Sequence, residues 1–275
     1  MGEAKSIAVF YLLRRGNDPC LFGGFLASLR KHATAIDYMP FLIQKGFAEA
    51  EIEPLASSWV TERGQRATVL HVSDEGYDLT AYRTAAARIE ASHCLFFNSY
   101  ARLLAPRWLE VYADASARLG DDAVIGATGS WTSIDPELSF PSPHLRTNAI
   151  FLRRELYLSF DNPLDTKDAC IRFESGPQSL SRSILRGGGR IAMVGRSGQV
   201  VPPESWPESR IYYSGDQEEL LVADNRSHGY QVARARSRWR LSKAAWGDKR
   251  ANIARRSWLS RKVLDWQWRH GRPVP

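Results

Sequence analysis

The stretch CLFFNSYARLLAPRWLE, residues 94–110, changes from a strand pattern to a helix pattern, and three polar residues mark the change. The run CLFF is continuously apolar, which is typical of a strand covered on both faces. Asn98, Ser99 and Tyr100 follow it directly. Two interpretations are open: these residues only lead the chain out of the core, or they face a ligand at the end of the strand.

The chain on either side of this stretch alternates strand-like and helix-like segments. The predicted strands are residues 7–13, 38–46, 67–74 and 94–98, and the predicted helices are residues 21–33, 50–64 and 79–93. This order is typical of βα units and predicts an α/β fold with a mixed, mostly parallel sheet flanked by helices. Parallel strands bind ligands at their carboxyl ends, and Lys45, Asp74 and Asn98 all fall at such ends.

The second half has longer loops. Residues 122–131 indicate a strand and a glycine-rich turn, and residues 133–148 a proline-punctuated loop. A helix ending at Gly187-Gly188-Gly189 should lead into a further strand. Residues 215–225 combine four acids with an apolar run, which favours a closing helix with its acids in solvent.

Composition limits the class of protein. A hydrophobic fraction of 44% and a charged fraction of 24% are ordinary for a globular chain. Cys20, Cys94 and Cys170 show no CxxC or Cys/His cluster, so we expect neither a disulfide framework nor a zinc site, and a reducing cytoplasm is favoured. The apolar run at residues 7–13 is too short for a membrane span, which needs about 20 residues.

Four segments occur in an order that resembles a known family. SDEGYDLTAYRTAAARI resembles a D-x-G-x-x-x-A-x-x-x-A helix, and CLFFNSYARLLAPRWLE keeps the frame of an hhhhDxDxxhxPxWL motif. TNAIFLRREL resembles a TNAxxxRRxL segment, and FESG, residues 173–176, stands where an acidic pair precedes a helix. Over roughly residues 6–200 the chain thus resembles the GT-A glycosyltransferases, in particular the large inverting class that uses nucleotide-sugar donors.

The resemblance implies a GT-A-like (Rossmann-like) fold and a hexosyl- or related transferase of polysaccharide biosynthesis. A sugar would move from a nucleotide-sugar donor to a hydroxyl of an envelope glycan or lipid-linked acceptor, and the expected stereochemical outcome is inversion. Glu174 would be the general base, with Asp168 as second candidate. Alternatively, Glu174 is an acid favoured by the dipole at a helix N-terminus, and Asp168 is a turn residue.

The resemblance also implies two sets of binding residues. The donor side comprises Tyr11, Lys45, Asp74, Asp78, Arg83, Asn98, Ser99 and Tyr100. The acceptor or diphosphate side comprises His144, Arg146 and Asn148. Purely structural alternatives remain open: the two aspartates as helix caps, the lysine as a solvated charge, Arg83 as an exposed or salt-bridged residue, and the histidine as a plain loop residue.

The chain departs from the family at the D-x-D positions, which are Asn98 and Tyr100. Carboxylates there would hold a divalent cation that bridges the donor diphosphate. Asn98 is only a weak candidate ligand for Mn²⁺ or Mg²⁺. Either the metal is held weakly, or cations such as Arg102 or Arg146 neutralise the diphosphate, or the chemistry is lost. Reduced metal dependence is favoured.

Residues 226–275 differ sharply in charge from the rest. They hold 14 Lys/Arg against 2 Asp/Glu, a net of +12, whereas residues 1–225 hold 23 against 28, a net of −5. We therefore divide the chain into a GT-A-like catalytic domain, 1–225, and a basic, Trp-rich helical tail, 226–275. The tail could lie on an anionic membrane as an amphipathic helix, dock on the acidic main domain, or bind nucleic acid, the least favoured partner.

Two other functions compete with glycosyl transfer. The first is a non-catalytic glycan- or partner-binding protein that keeps the fold, which the missing D-x-D favours. The second is a nucleic-acid-binding protein that acts through the tail, which the acidic main domain disfavours.

Overall fold

The computed structural model describes residues 6–48, 57–132, 135–249 and 256–270. The strands of this part are β1 Ile7–Arg14, β2 Met39–Lys45, β3 Thr68–Val72, β4 His93–Phe97, β5 Arg102–Leu103, β6 Ala123–Gly126, β7 Gly129–Ser130, β8 His144–Leu145, β9 Ala149–Arg153, β10 Arg190–Val194, β11 Val200–Val201 and β12 Val222–Ala223.

The helices pack on both faces of the main sheet or belong to the tail. They are α1 Cys20–Lys31, α2 Asp78–Ala87, α3 Trp108–Leu119, α4 Arg154–Leu158, α5 Lys167–Ser175, α6 Leu180–Arg186, α7 Asn225–Val232, α8 Ala235–Trp246 and α9 Trp258–Arg269. A 3₁₀ helix spans Pro203–Glu208.

The main sheet has eight strands in the order β11-β10-β6-β9-β4-β1-β2-β3. Strands β4, β1, β2 and β3 are parallel neighbours, and β6 is parallel to β10. Strand β9 runs antiparallel between β4 and β6, and β11 is antiparallel to β10. The predicted α/β fold with a mixed, mostly parallel sheet flanked by helices is confirmed.

Strand β1 shows why the centre of the sheet is apolar on both sides. Ala8, Phe10 and Leu12 point into one core layer, while Val9 and Tyr11 point into the other. Successive side chains of a strand alternate between faces, so a strand with helices on both sides needs a continuous apolar run. Helix α2 covers the first layer with Leu79, Tyr82 and Ala86, the face that its spacing predicts.

Three sequence predictions need correction. Asp168, given above as a possible turn residue, lies in the first turn of helix α5, whose N-cap is Thr166. Residues 215–225, predicted as a closing helix, form turns and strand β12 up to residue 224, and α7 begins at Asn225; Leu220 and Leu221 are fully buried. The helix predicted over 50–64 falls partly outside the described residues, and its remainder, 57–64, forms turns and a bridge from Val60 to Arg66.

The described part of the tail packs against the main domain. Trp246 in α8 is fully buried and donates from Nε1 to the Tyr212 carbonyl oxygen at 3.0 Å. Trp268 in α9 lies under the guanidinium of Arg102, 4.0 Å from the ring centroid, and stacks on His228 at 4.5 Å. Of the three fates open for the tail, docking on the main domain is therefore observed for these helices. Within the described ranges no helix combines the length and apolarity needed to cross a bilayer.

Candidate active site

The carboxyl ends of β1 to β4 bring several predicted donor residues to one edge of the sheet. Lys45, at the end of β2, is fully buried and donates from Nζ to the carbonyl oxygens of Ser73 at 3.0 Å and Glu75 at 2.7 Å. Its Nζ lies 3.8 Å from Oδ1 of Asp74, whose side chain is mostly exposed. Burial lowers the pKa of Lys45, although Asp74 opposes this. Lys45 thus fixes the loop after β3, and Asp74 remains the exposed group.

Asp78 stands in the first turn of α2, with Tyr77 as the N-cap residue. Its Oδ1 lies 3.5 Å from Nη1 of Arg14 at the end of β1. Burial raises the pKa of Asp78, and Arg14 and Lys45 partly offset that rise. Neither predicted aspartate is therefore the N-cap of α2.

Arg83, one turn further along α2, is partly buried. Its Nη1 donates to the Asn162 carbonyl oxygen at 2.6 Å, and its guanidinium lies 5.9 Å from the ring centroid of Phe173. Arg83 therefore ties α2 to the segment before α5 instead of facing the strand ends.

Hydrogen bonds to the backbone of residues 98–100 hold the polar cluster after β4. Asn98 Oδ1 accepts a hydrogen bond from the Tyr100 amide at 3.0 Å, and the Asn98 amide donates to the Asn148 carbonyl oxygen at 2.9 Å. Tyr11 is fully buried and donates from its hydroxyl to the Ser99 carbonyl oxygen at 2.6 Å. Burial raises the pKa of Tyr11 far above its ordinary range. These contacts show that the polar residues after β4 have a structural role, because they fix the conformation of the loop.

The fit of this cluster to a divalent cation is poor. The side-chain oxygen of Asn98 already accepts the Tyr100 amide, and Tyr100 supplies no carboxylate. Among the residues that the structure describes, no group of three or more His, Cys, Asp or Glu side chains is arranged to hold a metal ion. The residues present do not form the carboxylate site that D-x-D provides.

Glu174 lies in the last turn of α5, not at a helix N-terminus. Its Oε2 accepts hydrogen bonds from the amide of Thr147 at 3.0 Å and from the hydroxyl of Thr147 at 2.7 Å. Burial favours the protonated acid, but the positive charge of Arg146 and the Thr147 hydrogen bonds outweigh it and lower the pKa of Glu174. The group is a carboxylate at neutral pH, and the helix dipole at this end does not account for it.

Arg146 is the buried cation beside Glu174. Its Nη1 lies 3.1 Å from Oδ2 of the fully buried Asp224, and its guanidinium lies 4.8 Å from the ring centroid of Tyr212. Burial works against the charge, yet Tyr212, Asp224 and Glu174 together raise the pKa of Arg146 above its ordinary value. Burial lowers the pKa of His144, which leaves a neutral imidazole next to these charges.

A hollow of about 310 Å³ joins these groups to the tail. Its walls come from the segment around β8, from α5, from the loop before β12 and from α8. The lining includes Ser130, Thr132, His144, Arg146, Ile171, Glu174, Ser175, Tyr212, Tyr213, Arg226, Leu241, Ala244 and Ala245. We call this feature the Glu174 hollow.

Asn98 and Glu174 are held by neighbouring residues of one segment. The amide of Asn98 donates to the carbonyl oxygen of Asn148. Glu174 accepts a hydrogen bond from Thr147, which precedes Asn148 in the sequence. Asn148 also accepts a hydrogen bond on Oδ1 from the Thr128 hydroxyl, and its Nδ2 is buried with no hydrogen-bond partner in the described part of the chain. The structure thus brings the strand end after β4 and Glu174 to the same region.

Asp168 is placed apart from Glu174. Its side chain is exposed and pairs with Arg172 one turn along α5, with Oδ2 to Nε at 2.9 Å. It lines a separate hollow of about 460 Å³ together with Asn162 and Phe173. Arg102, suggested by the sequence as a cation for the diphosphate, is buried against Trp268.

Several residues of the site have no distinct signal in the sequence. Thr147 lies inside the TNAIFLRREL segment without a separate signal, and Arg226 is one of many cations in the tail. Tyr212 and Tyr213 lie on a loop where Arg210, Tyr213 and Gln217 have positive φ angles of 59°, 49° and 57°. Left-handed backbone at non-glycine residues is uncommon and gives no sequence pattern.

No family model and no curated protein matches this chain. Similar solved structures include the mannosyltransferase PcManGT from Pyrobaculum calidifontis, in complex with GDP-Man and Mn²⁺. It is 12% identical to this chain, with a TM-score of 0.48, and the match covers 75% of this chain and 60% of the mannosyltransferase chain. The galactosyltransferase LgtC, in complex with donor and acceptor sugar analogs, is 11% identical, with a TM-score of 0.42. The match covers 68% of this chain and 73% of the LgtC chain.

A protein whose name gives a different activity is similar to a comparable degree. A putative glucose-1-phosphate thymidylyltransferase from Bacillus anthracis is 10% identical, with a TM-score of 0.44. The match covers 68% of this chain and 86% of the thymidylyltransferase chain. All three TM-scores are below 0.5, so the assignment of function rests on the residues of the site.

Proposed function

We propose that this chain is a glycosyltransferase that moves a sugar from a nucleotide-sugar donor to an acceptor hydroxyl with inversion. The observation that carries the proposal is the environment of Glu174. Its carboxylate is kept ionised by Arg146 and the Thr147 hydrogen bonds, is fixed through Oε2 and lies in a hollow large enough for a sugar ring. A general base needs such a fixed carboxylate within hydrogen-bond reach of the proton it removes.

The chemistry follows from the two oxygens of Glu174. In the described residues, the protein hydrogen bonds go to Oε2, so Oε1 is the oxygen for an acceptor hydroxyl. As that hydroxyl attacks the anomeric carbon, its proton passes to Oε1 and the new C–O bond forms. The bond between the anomeric carbon and the diphosphate oxygen breaks, and the nucleoside diphosphate leaves with the electron pair.

The donor would lie at the carboxyl ends of β1 to β4. Asp74 and Asp78 are partly or mostly exposed there, and Arg14 adds a partly exposed cation. Arg226, exposed at the rim of the Glu174 hollow, is a second cation for a diphosphate. Since Asn98 does not form a cation site, no step is assigned to a metal, and reduced dependence on Mn²⁺ or Mg²⁺ is part of the proposal.

The acceptor in this proposal is an envelope glycan or a lipid-linked sugar at the cytoplasmic face of a membrane, which makes the chain a peripheral enzyme of polysaccharide biosynthesis. The apolar wall that α8 contributes, through Leu241, Ala244 and Ala245, suits the apolar face of a sugar ring or the start of a lipid linker.

The test combines ligand binding with transfer by matched variants. A panel of sugar nucleotides and nucleoside diphosphates, with and without Mn²⁺, should raise the melting temperature for one nucleotide class. Glu174→Gln should keep that increase and lose transfer by at least a hundredfold. Asp168→Asn, on the exposed side of the same helix, is the control and should keep both. Absence of any nucleotide effect, or full transfer by Glu174→Gln, would refute the proposal.

A non-catalytic glycan-binding protein is the second candidate. It is favoured by the Asn98 side chain, whose oxygen is used within its own loop instead of being offered to a ligand. In that case glycans should bind in the Glu174 hollow while no sugar nucleotide raises the melting temperature or loses its sugar.

A further inference from the structure

Helix α9 has two apolar faces, of which one is buried and the other is exposed to solvent. Leu264 and Trp268 are buried, and Trp268 packs between Arg102 and His228. Leu259, Val263 and Trp266 are exposed by 66%, 48% and 52%. At 3.6 residues per turn these three lie on the side of the helix opposite the docked pair.

The exposed face is bordered by positive charge. Lys262 and Arg269 are exposed and lie between the outer apolar stripe and Trp258, which is itself 66% exposed at the start of the helix. Asp265, the single acid of α9, points away from the stripe toward His228, with Oδ1 to Nε2 at 3.4 Å. The outer face therefore combines aliphatic and indole side chains with the cations Lys262 and Arg269, of which Arg269 pairs with Asp265 on one side, with Nε to Oδ2 at 3.0 Å.

The docked face fixes this helix on the protein. His228 stacks on Trp268, Arg102 covers its ring, and Asp265 bonds to both His228 and Arg269. The three apolar side chains of the outer stripe, and Trp258 beside them, therefore stay exposed although the other face of the helix is docked.

We propose that the outer face of α9, formed by Trp258, Leu259, Lys262, Val263, Trp266 and Arg269, docks on an anionic lipid surface. Indole rings and short aliphatic side chains enter the headgroup boundary, while the cations contact anionic headgroups. Charge complementarity selects this occupant: residues 226–275 carry a net +12, whereas residues 1–225 carry −5. A nucleic acid would use the cations but leave Leu259 and Val263 in water.

This inference rests on the proposed location at a membrane but not on the transfer chemistry, because vesicle binding is measured without donor or acceptor. The full chain is sedimented with phosphatidylcholine vesicles that contain or lack phosphatidylglycerol. We expect binding to the anionic vesicles only, weakened by salt. Lys262→Gln should weaken it about fivefold, and Trp266→Ala roughly tenfold or more.

Leu185→Glu on α6, a leucine exposed by 41%, is the matched control for Leu259→Glu. The control should bind anionic vesicles like the unchanged chain, and Leu259→Glu should not, with both melting temperatures unchanged. Equal binding to both vesicle types, or equal binding by the two glutamate variants, would overturn the proposal. So would a dimer that Leu259→Glu abolishes in a chain that binds no vesicles, because a second copy would then occupy this face.

Discussion

Replacement of Arg146 by alanine should affect both the stability of the fold and the ionisation of Glu174. Arg146 is only 11% exposed and its partner Asp224 is not exposed at all, so the substitution leaves a buried carboxylate without its cation. Breaking such a pair from one side costs about 3–5 kcal/mol. At roughly 2–4 °C for each kcal/mol in a chain of this size, the melting temperature should fall by about 6–20 °C.

The sign of the pH effect follows from the charges around Glu174. Arg146 is the foremost group that lowers the pKa of Glu174 against the effect of burial. Without Arg146 the pKa of Glu174 rises, so the base becomes protonated at a higher pH. The acid limb of transfer activity should therefore move to higher pH, whereas Arg146→Lys, which keeps the charge, should shift it less.

A double-mutant cycle separates the ion pair from general damage. Asp224→Asn keeps the N-cap of α7, whose first turn bonds to the Asp224 side chain, because asparagine caps as well as aspartate. In the Arg146→Ala background it removes the unpaired buried charge and should restore part of the lost stability. If the two substitutions add independently, or if Arg146→Ala costs less than about 1 kcal/mol, the reasoning about this pair is wrong.

Three further perturbations test other parts of the structure. Trp268→Ala should cost roughly 3–5 kcal/mol of packing energy and release α9, seen as faster proteolysis of the C-terminal region, whereas unchanged proteolysis would argue against a docked helix. Gly24→Ala should destabilise by about 1–3 kcal/mol in denaturant unfolding, because its Cβ would lie 2.7 Å from the buried guanidinium of Arg102, and a neutral effect would show that this arginine can move. Burial lowers the pKa of His228 from 6.5, so its stabilising contribution is present above that pH and lost as the pH falls; His228→Gln should flatten the fall in melting temperature toward about pH 5.

The parallel half of the sheet could be predicted from the sequence because its signals are local. Strands β1, β2 and β4 are almost continuously buried, and α2 repeats its apolar residues at helical spacing. Polar residues that end such strands must meet at one edge of a parallel sheet. The contact between Lys45 and Asp74 follows from that rule alone.

The parts that could not be predicted depend on contacts between distant residues. Helix α5 buries only Phe173 and Ser175, so it lacks an apolar repeat and resembles a polar loop. Glu174 meets Thr147 across 27 positions of sequence, and no local pattern records that contact. The segment 215–225 resembles a helix in composition. Its conformation depends instead on a distant contact, because the buried Gln217 donates from Nε2 to the Ser227 carbonyl oxygen.

The division of the chain at residue 225 separates charges but not the structure around the site. A series of stacked contacts runs from the Glu174 hollow into the tail: Arg146 on Tyr212 at 4.8 Å, Tyr212 on Tyr213 at 4.0 Å, Tyr213 on Tyr230 at 5.1 Å and Arg238 on Tyr230 at 4.7 Å. Arg238 is buried and bonds to the loop that carries the two central tyrosines. Because α7 and α8 hold this loop and α8 lines the hollow, the inner tail contributes to the walls of the site, while the outer face of α9 stays exposed.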